Sequence, residues 1–305
     1  KNLEIQAFMP DDITINAGDS IWFDIGPMPG FHTITFLGGK KIPGFFIPDP
    51  NATPVAGGLP PNQLINPLLA FPTGGTSIDG SHYVNSGVVA LGDPTKPIIY
   101  TFPKEGTFDY LCLPHQFVMK AKVVVQKKGA AYPKDQAAYD KIAQEALAKW
   151  TKEAEDAIKK QADGSTLWEA TVGVGEHNGR GQVLLPATLE IKVGDSVKWF
   201  HHAPGEPHTV TFVGSDTQPP EDTIVEPSPN GPPKVYQNNL TLMPQGGNTF
   251  DGKGYVNSGW LGIKELNLPE TFECKFTAAG DYIYYCALHG DAKGNGMAAK
   301  LKVKA

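Results

Sequence analysis

The sequence has 305 residues, of which 40% are hydrophobic, and its 26 basic and 32 acidic side chains give a net charge of −6. A chain of this length predicts two domains, and this hydrophobic content is sufficient for buried cores. Nucleic-acid binding, membrane spanning and a disulfide-stabilised mini-domain are excluded, because the chain has no long basic run, no apolar run near the roughly 18 residues that span a membrane, and only three cysteines.

The N terminus and the content of turn residues give two further expectations. The chain begins with Lys1 rather than Met, so we expect a trimmed N terminus from which a leader or membrane anchor has been removed. The 34 glycines and 27 prolines exceed their usual share and favour an all-β protein with many loops.

The first and last parts of the chain repeat one another, which predicts two copies of one fold. In both copies apolar residues alternate along short segments, for example Ile13 and Ile15, and this period of two predicts half-buried strands. Several short strands separated by turn residues indicate an antiparallel β-sandwich in each copy. The aligned segments are residues 10–20 with 186–196, the His-Thr-x-Thr-Phe segments 32–36 with 208–212, and the Tyr-Val-Asn-Ser-Gly segments 83–87 with 255–259.

A Gly-Asp pair follows the first predicted strand of each copy, at 18–19 and at 194–195. Gly and Asp are both favoured in tight turns. We therefore expect each pair to form a hairpin turn that joins two neighbouring antiparallel strands.

The composition changes between the two copies. No glycine and no further proline occurs between Pro133 and Ala162, and apolar residues recur there at steps of three and four, as at Ala146 and Trp150. This pattern predicts an amphipathic helix that begins at Pro133, ends at Gly164 and serves as a spacer packed on one domain. The predicted segments are therefore domain 1 at 1–128, a helical linker at 129–165 and domain 2 at 166–305.

Each copy also contains a long insertion rich in Pro and Gly, at about 38–80 and about 214–252. Neither insertion contains a cluster of metal-binding side chains. Because loops of this length usually have a role, we expect them to dock on or shield neighbouring surfaces.

The chemistry of the chain is concentrated in one set of side chains per copy. Each copy contains a histidine at the start of the His-Thr-x-Thr-Phe segment and, near its end, a closely spaced Cys, His and Met. A thiolate, two imidazoles and a weak axial thioether form the ligand set of a blue copper site. Zinc ranks below copper, since a zinc site would favour closed Cys and His ligation without Met. The candidate ligands are His32, Cys112, His115 and Met119 in the first copy and His208, Cys286, His289 and Met297 in the second.

The third cysteine, Cys274, is predicted to be a packing residue. It aligns with Tyr100 on a predicted strand and has no histidine nearby. A lone cysteine is most often a small buried hydrophobe, whereas two coincident Cys-His-Met sets are hard to ascribe to packing.

The segments Tyr110–Met119 and Tyr284–His289, the latter with Met297, resemble the ligand loop of the cupredoxins, the blue copper family of plastocyanin, azurin and pseudoazurin. The resemblance covers nearly all of both copies and implies an all-β protein of two Greek-key β-sandwich domains joined by the helical linker. It also implies one type 1 copper ion per domain and a location outside the cytoplasm, in the periplasm or at the cell surface. Met297 follows a longer loop than Met119, which implies a longer and weaker axial bond in domain 2.

Two functions are compatible with this resemblance. Two-domain copper nitrite reductases and small laccase-like oxidases share the architecture, but they connect an additional copper site to the blue site through a His next to the ligand Cys. Here Cys112 is flanked by two leucines, and Cys286 lies between Tyr285 and Ala287. We therefore expect an electron-transfer protein that is not an enzyme, with the two-domain copper oxidoreductase as the alternative.

We expect the unidentified redox partner proteins to dock mainly on domain 1. The ligand His115, expected at an exposed edge, is surrounded by an apolar rim that suits a transient contact. The corresponding loop of domain 2, at 290–295, is polar. The rim consists of Leu113, Pro114, Phe117 and Val118.

The resemblance also implies a difference between the two thiolates. In this family the residue two positions after the ligand Cys can direct its backbone N–H at the sulfur. That residue is Pro114 in domain 1, which has no N–H, and Leu288 in domain 2, which can donate. A hydrogen bond from Leu288 would raise the reduction potential of the second centre.

Overall fold

The computed structural model describes residues 3–24, 30–55, 58–92, 96–164, 169–175, 178–203 and 205–305. The first repeat contains β1 (Leu3–Ile5), β2 (Asp12–Asn16), β3 (Ser20–Phe23), β4 (Thr35–Phe36), β5 (Phe46–Ile47), β6 (Gln63–Ile65), α1 (Pro67–Ala70), β7 (Pro72–Thr73), β8 (Val84–Ser86), β9 (Ile98–Thr101), β10 (Gly106–Leu111) and β11 (Lys120–Gln126). The long helix α2 (Gln136–Gly164) follows. The second repeat contains β12 (Glu169–Gly175), β13 (Gly179–Leu185), β14 (Thr188–Lys192), β15 (Ser196–His202), β16 (Thr211–Val213), β17 (Thr223–Glu226), β18 (Lys234–Gln237), α3 (Asn239–Leu242), β19 (Pro244–Gln245), β20 (Thr249–Phe250), β21 (Tyr255–Ser258), β22 (Thr271–Phe276), β23 (Gly280–Gly290) and β24 (Gly296–Lys304).

The two repeats form β-sandwiches whose main sheets correspond strand for strand. The first has the order β2-β11-β10-β4-β8-β7 and the second the order β14-β24-β23-β16-β21-β19. Each encloses an aromatic core, with Phe36 and Tyr110 in the first repeat and Trp199, Phe212 and Tyr284 in the second. The predicted fold class is confirmed. None of the described helices is long and apolar enough to cross a membrane.

The Gly-Asp turns do not form hairpins, so that prediction was wrong. Strand β2 pairs in parallel with β11, whereas β3 pairs with β9 in a separate sheet. Gly18, with φ of +99°, lets the chain pass from one sheet to the other, and Asp19 Oδ2 accepts a hydrogen bond from Asn16 N at 2.8 Å. The turn at 194–195 joins β14 to β15 in the same way. A period of two identifies strands, but it does not identify their partners.

The N-terminal strand of the chain belongs to a sheet of the second repeat. Strand β1 pairs with β13, where Leu3 faces Gly181 and Ile5 faces Gly179. A segment that lies within the range predicted for domain 1 thus adds an edge strand to the other repeat. The three-segment division itself stays a prediction, and its boundary at 165–166 lies outside the described residues.

The two Pro- and Gly-rich insertions dock on each other. Their strands form one sheet in the order β17-β18-β6-β5, and the central pair joins one repeat to the other. Asp49 Oδ2 accepts hydrogen bonds from Lys234 Nζ at 2.8 Å and Tyr236 Oη at 2.6 Å across this junction. The expectation that these loops dock on a neighbouring surface agrees with this arrangement.

Helix α2 contacts both repeats rather than one. It begins at Gln136 rather than at the predicted Pro133, because Asp135 Oδ1 accepts a hydrogen bond from Ala138 N at 2.8 Å and so caps the first turn, and its described part extends to Gly164. Tyr139 Oη accepts a hydrogen bond from Thr14 N in the first repeat. Further along, Trp150 packs so closely on Gly179 of β13 that a β-carbon there would overlap its backbone. The helix therefore helps to fix the two repeats against each other.

Candidate metal centres

The first candidate centre brings together two ring nitrogens and one sulfur. Cys112 directly follows β10, His115 lies in the loop before β11, and His32 precedes β4. Cys112 Sγ is 3.8 Å from His32 Nδ1 and 3.4 Å from His115 Nδ1, and the two Nδ1 atoms are 3.1 Å apart. Met119, the predicted axial ligand, is buried.

The second candidate centre repeats this geometry. Cys286 Sγ is 3.8 Å from His208 Nδ1 and 3.4 Å from His289 Nδ1, and the two nitrogens are 3.1 Å apart. Met297 is also buried. First-row metals bind nitrogen and sulfur at about 2.0 to 2.3 Å, so three ligands around one ion lie roughly 3.5 Å apart. The spacing and the donor set in both clusters fit a copper ion.

Both candidate thiols ionise more easily than a free cysteine. Burial disfavours the charged thiolate in each cluster, but the adjacent histidines outweigh this effect and lower the pKa from 9.0 to about 6 for Cys112 and to about 5 for Cys286. The thiolate is the form that binds metal. Burial alone raises the pKa of Cys274 to about 12, in keeping with its position in the hydrophobic core of the second repeat.

The threonine after each first histidine holds the cysteine and its loop in place. Thr33 N donates to Cys112 Sγ at 3.4 Å, and Thr209 N donates to Cys286 Sγ at 3.3 Å. The Thr209 hydroxyl in turn accepts from Ala287 N at 2.7 Å, as the Thr33 hydroxyl does from the residue after Cys112 at 2.8 Å. The same residue thus fixes the sulfur and the start of the loop.

The repeated Tyr-Val-Asn-Ser-Gly segments support these threonines. In the second repeat Thr209 Oγ1 lies 2.8 Å from Thr211 Oγ1, which donates to Asn257 Oδ1 at 3.0 Å. Ser258 Oγ accepts from Val210 N at 2.9 Å. Asn85 and Ser86 make the equivalent contacts in the first repeat. The identity of the two segments is the sequence signal that points to this role, although it does not specify it.

Comparisons with known proteins place the chain in a family. No protein-family model matches it. A curated relative named chloroplastic plastocyanin, from Chlamydomonas reinhardtii, is 32% identical over 138 residues, which cover 45% of this chain and 68% of the relative. The chain belongs to the cupredoxins, the blue copper proteins that include plastocyanin. This is the family that the ligand-loop segments predicted.

A second curated relative and a solved structure are also similar to parts of the chain. The chloroplastic plastocyanin of Tetradesmus obliquus is 32% identical over 137 residues, which cover 44% of this chain and 67% of that relative. Among solved structures, an amicyanin variant in its Cu(I) form aligns with 48% of this chain and 90% of its own, at 19% identity and a TM-score of 0.25.

Two expectations about the ligand loops of the cupredoxin need correction. The backbone N–H directed at the second thiolate is that of Thr209, not that of Leu288. The position of a donor relative to the sulfur depends on how the loop turns, which residue spacing does not determine. His115 is not at an exposed edge either: only 7% of the residue is exposed, and Glu206 of the second repeat lies within 4.8 Å of its ring.

Two carboxylates that the sequence analysis missed contact the outer ring nitrogens of candidate ligands. His32 Nε2 lies 3.1 Å from Glu4 Oε1, and His289 Nε2 lies 3.1 Å from Glu206 Oε1. Gln182 Nε2 donates to both carboxylates, at 2.6 Å to Glu4 and 3.2 Å to Glu206. These contacts fix the orientation of the imidazoles, since a ring that presents Nδ1 to a metal carries its proton on Nε2.

Glu206 is the more deeply buried of the two carboxylates. Burial alone would raise its pKa, but the nearby His289 outweighs burial and holds the pKa below its usual range. The only sequence signal for Glu206 was its closeness to His208, and Glu4 had none, because it reaches the site on the crossing strand β1.

Gly173 offers a test of the second centre that leaves every candidate ligand unchanged. It lies at a bulge in β12 with φ of +67°, and a β-carbon there would overlap the His208 ring. We expect Gly173→Ala to displace His208 and to weaken or shift the visible band of the second centre in the copper-loaded protein. Alanine at this φ also costs about 1 kcal/mol of backbone strain.

Gly194→Ala is the matched control for this prediction. Gly194 has a similar φ of +97°, but a β-carbon there would meet no atom within 4 Å. This variant carries the strain without the overlap, so its spectrum should equal that of the unmodified protein. Identical visible spectra for the two variants would contradict the proposed position of His208.

Proposed function

We propose that this cupredoxin holds two type 1 copper ions, one per repeat, and transfers single electrons between redox partner proteins. The observation that supports this most directly is that the two Cys-His-His clusters share the same three distances. We assign the ligands as His32, Cys112, His115 and Met119 in one centre and His208, Cys286, His289 and Met297 in the other.

The surroundings of the clusters suit a one-electron carrier. Copper, when bound, supplies a Cu(II)/Cu(I) couple at each site. The residues of the chain hold the donors in a fixed arrangement, because Thr33 and Thr209 fasten each thiolate and its loop to the buried Asn85 and Asn257. Donors that do not move between oxidation states keep the reorganisation on electron transfer small. We also propose an extracytoplasmic location, which the chloroplastic plastocyanin relatives support.

One observation favours a second candidate, a two-domain copper oxidoreductase with an additional copper site. Oxygen and nitrogen atoms of Glu4, His115 and Glu206 lie within 4.8 Å of one another between the two repeats. Carboxylate and imidazole groups are suitable ligands for a further divalent metal. Against this candidate, the carboxylates already accept hydrogen bonds from the side chains of His32 and His289.

The copper content of the full chain discriminates between these functions. Two coppers per chain, both intensely coloured and both with narrow hyperfine splitting in EPR, are expected for the carrier. A third, colourless copper that disappears in Glu206→Gln, together with turnover of nitrite or dioxygen, would instead establish the oxidoreductase. A chain that takes up copper without blue colour would contradict both.

We propose that partner proteins dock at the part of the domain 1 rim that remains accessible. Leu113 is buried, whereas Phe117 is 41% exposed. We expect Phe117→Asp to slow electron exchange with the physiological partner about tenfold, since a charge at an apolar contact must be desolvated. Val225→Asp, at an exposed valine in β17, is the control. Stopped-flow rates that are equal for the two variants would rule out this docking surface.

A further inference from the structure

A continuous chain of polar contacts connects the two candidate centres. It runs from His32 Nε2 to Glu4 Oε1 at 3.1 Å, and from Glu4 Oε2 to Gln182 Nε2 at 2.6 Å. The same Gln182 nitrogen lies 3.2 Å from Glu206 Oε1, and that oxygen lies 3.1 Å from His289 Nε2. Every step is within hydrogen-bonding or ion-pair distance, and each end is a ring whose other nitrogen faces a thiolate.

Glu206 by itself also lies close to candidate ligands of both centres. Its carboxylate contacts His289, its Oε2 lies 3.9 Å from His208 Nε2, and one of its oxygens lies within 4.8 Å of a ring nitrogen of His115. Glu206 is 1% exposed, and the buried Arg180 interacts electrostatically with it. One buried side chain is thus adjacent to candidate ligands of both centres.

We propose that the two copper centres exchange electrons directly within the chain, through the Glu4, Gln182 and Glu206 side chains and the ligand histidines. This inference rests on the proposed function. In each event one centre is oxidised from Cu(I) to Cu(II) while the other is reduced from Cu(II) to Cu(I). One electron moves, no bond forms or breaks, and no proton leaves the chain.

Contacts in three parts of the interface hold the two repeats together and so keep this route at a fixed length. The repeats are joined by the β1–β13 pairing on one side and by the β6–β18 pairing of the insertions on another, and α2 contacts both repeats. Electron tunnelling weakens steeply with distance and more steeply across gaps than through bonds. A rigid junction with an unbroken series of contacts therefore favours exchange between the centres.

The burial of the ligand histidines supports the same conclusion. His115 is 7% exposed and the side chain of His289 is 21% exposed, so both ring edges face the interface more than solvent. An electron that leaves either centre through these rings meets Glu206 before it meets an external partner.

Pulse radiolysis of the full-length, copper-loaded protein tests the proposal. Less than one electron per chain is injected, and the absorbances of the two centres are followed while the electron redistributes. The spectra of Cys112→Ser and Cys286→Ser supply the band of each centre, so the record can be resolved into two components. We expect a first-order phase whose rate does not change with protein concentration, and which is missing in both serine variants.

Two substitutions interrupt the route. Gln182→Met removes the donor that joins the two carboxylates, and Glu206→Leu removes the carboxylate that contacts His289. We expect each to slow the first-order phase about tenfold or more, while both blue bands, though they can shift, remain detectable because no candidate ligand is replaced. Gln182 is only half-buried, so it keeps the test available if Glu206→Leu does not fold.

Lys234→Met is the matched control, because Lys234 also joins the two repeats but lies in the sheet formed by the insertions. We expect its first-order rate to stay within about twofold of the unmodified protein. The proposal is overturned if a protein with two blue bands shows no concentration-independent phase. It is also overturned if Gln182→Met leaves the rate unchanged. A protein without two blue bands would instead refute the proposed function.

Discussion

Replacement of Cys112 by Ser is expected to remove about half of the intense visible absorption of the copper-loaded chain, and replacement of Cys286 should remove the other half. The colour of a blue site arises from charge transfer between the thiolate sulfur and Cu(II), and a serine hydroxyl cannot supply it. The two sulfurs belong to separate clusters, each with its own pair of histidines. Visible absorption and the integrated EPR signal of each single variant measure the effect.

The third cysteine is the control for this prediction. Cys274 is buried in the core of the second repeat, where it pairs with Val197 across two strands. Cys274→Ser also replaces a sulfur by an oxygen but leaves both clusters unchanged, so both bands should persist. If Cys112→Ser or Cys286→Ser abolished both bands, the centres would not be separate sites.

The sequence was sufficient to predict the sandwich fold and the two Cys-His-His clusters because both depend on patterns that recur. Alternation marks the strands in each repeat, and the spacing of Cys112 to His115 and Cys286 to His289 recurs with the upstream histidine. Because the same arrangement occurs twice, each occurrence is stronger evidence for a metal site. The structure brings together the six predicted His and Cys residues, three in each cluster.

Strand pairing was less predictable because it depends on contacts far apart in the chain. The hairpins expected at the Gly-Asp turns require β2 to pair with β3, but β2 pairs with β11 near the end of the first repeat. The same limit applies to β1, whose partner β13 lies beyond the long helix. Local turn residues indicate where a chain reverses, not which strand it meets.

The contacts between the centres were not predictable from the repeat, because they arise where the repeats differ. Glu206 aligns with Gly30, which packs against His32 so closely that a β-carbon would lie 2.8 Å from Nε2. A side chain at position 30 would therefore overlap the His32 ring. The first repeat instead obtains its carboxylate from Glu4, on the strand that crosses to the second repeat. The asymmetry allows one series of contacts to reach both centres.

Asn257→Leu is expected to lower the free energy of unfolding of the metal-free protein by about 3 kcal/mol. The side chain is fully buried, accepts from Thr211 Oγ1 at 3.0 Å and donates to Leu240 O at 3.1 Å and to Thr241 O at 2.9 Å. Leucine has a similar volume, so little cavity forms, but the Thr211 hydroxyl and the backbone carbonyls that Asn257 contacts lose a partner at roughly 1 to 3 kcal/mol each, partly recovered by rearrangement. Urea unfolding measures the loss.

The visible spectrum of the Asn257→Leu variant shows whether Asn257 supports the metal centre or only the fold. Asn257 holds Thr211 and, through it, Thr209, whose N–H faces Cys286 Sγ. The Leu variant should therefore shift the visible band of the second centre, while Asn85→Leu, its counterpart in the first repeat, should shift only the band of the first. Because a hydrogen bond to the thiolate weakens its donation to Cu(II), loss of a well-placed Thr209 N–H should also lower the potential of the second centre. Destabilisation of the fold with unchanged bands and potentials would show that the repeated segment supports the sandwich and not the thiolate.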